Sequence, residues 1–106
     1  MSATVESLIS EMVERLVREF DPLKIVLFGS HARGDARWDS DVDLLVVLRD
    51  VPDKHAATVS MLRALGDLPV AADVIPTDPA EIDLRGDLVG TILRPALREG
   101  KTVYES

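Results

Sequence analysis

The chain has 106 residues, 46% of them apolar and 4% aromatic, and its 12 basic against 19 acidic side chains leave a net charge of −7. That size allows a single domain over residues 1–106 with an aliphatic core, and the composition excludes a disordered polymer and a basic patch able to grip extended nucleic acid. Cysteine is absent, which excludes disulfides and thiolate metal sites; with no apolar run near the ~18 residues that cross a membrane and an acidic amino terminus unlike a secretory leader, the expected location is cytoplasmic.

Val5, Leu8, Ile9, Met12, Val13, Leu16, Val17 and Phe20 recur at i, i+3, i+4 and i+7, and predict an amphipathic helix that Asp21-Pro22 ends. Leu23–Phe28 reads as a strand buried on both faces, followed by a Gly29-Ser30 turn and a short helix holding Arg33. Val42–Leu48 reads as the second strand. Asp53 is an N-cap for a helix to about Leu65, with Gly66 as its stop. Pro69 leads into a third strand, Val70–Ile75, closed by Pro76. Leu84, Leu88, Val89, Ile92, Leu93, Ala96 and Leu97 predict a further helix, weakened at Gly90 and kinked or divided at Pro95. Lys101–Glu105 is a short strand or a tail. The order implies an α/β (α+β) fold: a small mixed sheet of three or four strands, helices packed on one face, the polar site on the other.

The chemistry concentrates at the carboxyl end of the first strand and the start of the second. Asp41 and Asp43, two apart on a strand, share a face, with Cα atoms roughly 6–7 Å apart. Their carboxylates can straddle ions about 3.5–4 Å apart, the spacing of two-metal phosphoryl chemistry. A bare Asp-x-Asp is most often a pair of solvated acids, but the Gly29-Ser30 turn upstream argues for a phosphate site, because small residues let backbone N–H groups approach an anion. The pattern is not a P-loop, since Gly-x4-Gly-Lys-Ser/Thr is absent.

Asp73 stands alone in an otherwise apolar strand, where an unpaired buried charge is costly. It either faces water or completes a three-carboxylate cluster with Asp41 and Asp43, which divalent metal would keep ionised. Arg33 is a candidate partner for phosphate or for transition-state charge, or else a surface ion pair with Asp35 or Asp39. Ser40 caps or orients the loop before Asp41. His31 reads as a turn residue, Trp38 as a loop cover, and Lys54 and His55 as solvated helix residues.

Gly29-Ser30-His31-Ala32-Arg33-Gly34-Asp35-Ala36, then Ser40-Asp41-Val42-Asp43-Leu44-Leu45-Val46, resembles the signature of the minimal nucleotidyltransferases of the DNA polymerase β-like superfamily. Asp73 fits that family's third acid, and the helix before the first strand also agrees. The resemblance implies that Asp41, Asp43 and Asp73 are catalytic and bind two Mg2+ ions, and that Gly29 and Ser30 contact the triphosphate of ATP, with Arg33 and Ser40 as further nucleotide-binding candidates. It also implies an antitoxin whose partner is a HEPN-domain toxin, silenced by transfer of AMP to a tyrosine hydroxyl. Two alternatives stand beside it: a catalytically silent antitoxin that acts by binding alone, and a nucleotidyltransferase for a small molecule. Base preference is open, as is assembly as a homo-oligomer or as a hetero-oligomer with the toxin.

Overall fold

A computed structural model describes residues 4–37, 39–85 and 93–106. The first helix, α1 (Val5–Phe20), starts where Thr4 Oγ1 accepts the Ser7 N–H at 3.1 Å. It ends where Asp21 turns left-handed at φ 48° and Pro22 bars another helical turn. Its apolar stripe buries Met12 and Leu16 completely.

Strand β1 (Lys24–Phe28), the single-turn helix α2 (Ser30–Arg33) and strand β2 (Val42–Val47) follow. Then come α3 (Lys54–Leu65), β3 (Ala72–Thr77), α4 (Pro79–Arg85), α5 (Leu93–Glu99) and β4 (Lys101–Glu105). The four strands form one mixed sheet in the order β3-β2-β1-β4. β1 runs antiparallel to both β2 and β4, and β2 and β3 run parallel through the α3 crossover. Asp53 caps α3 as predicted, accepting the Ala56 N–H at 3.0 Å, and Gly66 follows the helix end in a right-handed conformation. The carboxyl-terminal segment is a strand rather than a tail. β3 runs one residue beyond Pro76, which an edge strand tolerates because its outer side has no ladder to lose.

Alternation along the strands gives the sheet two apolar faces. Ile25, Leu27, Val42, Leu44, Val46 and Val74 meet Met12 and Leu16 of α1 and Met61 and Leu65 of α3. Val26, Phe28 and Leu45 point the other way and meet Leu93 and Ala96 of α5. Helices on one face therefore describes α1 and α3. α5 lies on the opposite face, because apolar side chains at that end of the central strands need a cover too. Pro95 lies within α5. The expected helical positions Leu88, Val89, Gly90 and Ile92 lie outside the described residues, as does Trp38. Among the described residues no helix is long and apolar enough to cross a membrane.

Candidate functional site

The polar end of the second face is set by strand register. Asp43, the second residue of β2, lies opposite Phe28 of β1 on one side and opposite Asp73 of β3 on the other. Strand alternation puts Asp43 on the face of Leu45, and Asp73 on the face of Ile75. Two carboxylates on adjacent strands thus share one surface, directly beside the turn that leaves β1.

That turn requires glycine. Gly29 has φ 75° and ψ −155°, a conformation that L side chains rarely adopt, and a Cβ there would overlap Asp43 Oδ2. The Gly29 carbonyl accepts the N–H groups of Ala32 and Arg33, both at 3.1 Å, and Ala32 is buried against the core, so α2 is anchored as it starts. A cavity of about 440 Å³ results, lined by Phe28, Gly29, Ser30, Arg33, Asp43, Asp73 and Glu99.

Burial pushes the Asp43 carboxyl above its ordinary value, and the charges of Asp73 and Asp41 push it further, against partial relief from His31 and Arg33. Acceptor-rich, mutually repelling carboxylates suit a hard divalent cation, which would relieve that repulsion with the oxygen ligands it prefers. By donor chemistry, then, the residues present fit Mg2+. Arg33 lines the cavity and forms the expected ion pair with Asp35, Nε to Oδ2 at 3.3 Å.

Two expected site residues stand apart. Asp41 is exposed, precedes the first ladder residue Val42, and does not line the cavity; it acts on Asp43 only through its charge. Among the described residues no three acidic or histidine side chains gather closely enough to hold a metal. The assembled unit is therefore the pair Asp43 and Asp73, not the three-carboxylate cluster expected, because alternation fixes a side chain's face only once pairing has begun. Ser40 Oγ accepts the Arg37 N–H at 2.8 Å, and the Ser40 carbonyl lies 3.2 Å from His31 Nε2. Ser40 thus shapes the loop, outside the cavity lining.

Glu99 was not expected at the site. Its only sequence signal is its place at a helix end, just before a glycine and a strand that returns to β1. A larger groove of about 630 Å³ lies between α1 and β4, lined by residues including Ile9, Val13, Val17 and Tyr104. It is mostly apolar and holds no paired carboxylates, so the smaller cavity is the chemically equipped one.

Residues 9–94 match the family profile described as nucleotidyltransferase domain. Over 92 residues the chain is 32% identical to protein adenylyltransferase MntA of Thermococcus cleftensis, covering 85% of this chain and 87% of that protein. A relative from Methanocaldococcus jannaschii, named as a candidate protein adenylyltransferase, is 36% identical over 61 residues; the chain spans 42% of its length. Among solved structures, a toxin–antitoxin with AMP-PNP superposes with a TM-score of 0.65 at 25% identity, over 91% of this chain and 73% of the other.

Proposed function

This chain belongs to the family of nucleotidyltransferase domains and is a nucleotidyltransferase, and from that premise we propose that it transfers AMP from ATP to a hydroxyl, a tyrosine's, on a HEPN-domain toxin, and so acts as the antitoxin. The observation that carries this reading is the Asp43–Asp73 pair set side by side next to the Gly29 turn. The adenylyltransferase name of the Thermococcus relative and the toxin–antitoxin with AMP-PNP support it.

In this reading the backbone N–H groups of Gly29 and Ser30 hold phosphate oxygens, and the Arg33 guanidinium neutralises charge on the leaving pyrophosphate. Asp43 and Asp73 would hold Mg2+, with Asp41 as a further candidate ligand. Bound Mg2+ supplies charge neutralisation and a lowered pKa for the attacking hydroxyl. The Asp73 carboxylate accepts the proton of that hydroxyl as its oxygen bonds to the α-phosphorus and the bond to the β-phosphate oxygen breaks. Most of the acceleration comes from holding the reactants in line and from preorganised charge.

The test is the intact mass of a HEPN-domain protein, taken from a reading frame adjacent to this one where one is found, after incubation with the chain, ATP and Mg2+. Addition of one or more adenylyl groups at tyrosine is expected. Tight binding that silences the toxin with no change of mass overturns transfer in favour of neutralisation by binding.

A further inference from the structure

Among the described residues that line the site cavity, Glu99 alone comes from neither the β1–α2 turn region nor the two acid-bearing strands; it closes α5. Its place is fixed by its neighbour. The Gly100 N–H bonds to the Ala96 carbonyl at 3.0 Å, and a Cβ at Gly100 would overlap both that carbonyl and Val26 Cγ1. The end of α5 is thus pressed onto β1 only a few residues before Gly29. Strand order sets Asp73 on β3, Asp43 on β2 and the Gly29 turn after β1, and Glu99 lines the same cavity from α5.

An ionised carboxylate only accepts hydrogen bonds, so it has nothing to offer a bare phosphate oxygen except repulsion. Among the described residues that line this cavity, three carboxylates face one guanidinium, and that guanidinium already pairs with Asp35. We propose that Glu99 is a specificity-determining residue that restricts the cavity to the divalent-cation complex of a nucleoside triphosphate and rejects the free polyanion. This rests on the nucleotide reading above. Asp43 and Asp73 cannot reveal the effect separately, because they belong to the reaction itself. Glu99 can, and its exposure lets it change without disturbing the core.

The experiment is calorimetric titration of ATP into the full chain, once in EDTA and once in Mg2+, for wild type, Glu99→Gln and Glu99→Asp. The quantity read is the ratio of the Kd in EDTA to the Kd in Mg2+. Glu99→Gln is expected to lower that ratio about fivefold to tenfold, the effect of one unit charge across a partly solvated cavity, and Glu99→Asp to preserve it. A merely structural role weakens both affinities alike, so an unchanged ratio in Glu99→Gln overturns the inference while leaving nucleotide binding intact. A wild-type chain that binds ATP under neither condition overturns the nucleotide reading, and this inference with it.

Discussion

Asp43 carries a cost that its position makes unavoidable. Burial and the charges of Asp73 and Asp41 raise its pKa above the ordinary 3.8, so the folded state holds that proton more tightly than the unfolded chain does. By linkage, ionising Asp43 destabilises the fold: the loss begins as pH rises past 3.8, is complete above the raised folded value, and persists at neutrality. Asp43→Asn removes this repulsion. Its melting temperature at pH 7 is expected to equal or exceed that of wild type, and the two should converge below pH 3.8. Transfer activity is expected to fall by about 10²–10⁴-fold. A variant that melts well below wild type at pH 7 would show that Asp43 is held for stability instead. Gly29 is constrained by the same carboxylate. Gly29→Ala must leave its φ of 75° or push Asp43 aside, at about 1–3 kcal/mol, measurable by urea unfolding, with transfer lost alongside.

At the scale of elements, the far end of β3 is held by a small polar clamp. Thr77 is fully buried, and its Oγ1 donates to Glu81 Oε1 of α4 at 2.6 Å, while Lys54 at the start of α3 pairs with the same carboxylate. Asp78 caps α4, accepting the Glu81 N–H at 2.8 Å, and also takes the Val51 N–H at 3.2 Å. Burial pushes the Glu81 carboxyl up, but the hydrogen bonds from Lys54 and Thr77 outweigh it and hold the pKa below the ordinary 4.5. The stability this contributes is present above that value and is lost as pH falls through the lowered folded one. Thr77→Val is expected to cost about 1–3 kcal/mol at neutral pH, the deficit shrinking in acid; an equal deficit at pH 7 and pH 3 would point to packing alone. The elements themselves were largely legible: α1 from its period, β1 and β2 from their apolar runs, α3 from Asp53. That Asp73 joins Asp43 is one of two readings its sequence allows, the other being a water-facing acid, and the β2–β3 register brings the two together. Glu99 was not legible, because its membership depends on α5 lying across β1, a contact that no local pattern encodes. Asp41 lies one residue before the ladder, so the alternation that places Asp43 from Val42 onward does not fix its side chain.

For the molecule as a whole, β2 is the partition between two cores of different consequence. Leu44 and Leu45 are adjacent and both fully buried, but Leu44 packs with α1 and α3 while Leu45 packs with α5 beneath the site. Truncating either to alanine is expected to cost about 2–5 kcal/mol, read from chemical unfolding. Only Leu45→Ala should also weaken ATP binding measured well below its melting temperature, because only that face supports Glu99 and the acid pair. Equal binding losses in both variants would mean that the two cores transmit strain alike.

The pairing of β1 with β4 has a consequence for how the protein comes into being. On the ribosome, the stretch that carries Gly29, Asp43 and Asp73 is complete long before residues 101–105 emerge to cover the open side of Lys24–Phe28. Until then a central strand is exposed along one margin, and the wall that Glu99 supplies does not exist. A nascent chain stalled between β3 and β4 therefore owns Asp41, Asp43 and Asp73 yet encloses no chamber, so maturation of the pocket waits on residues 99–105.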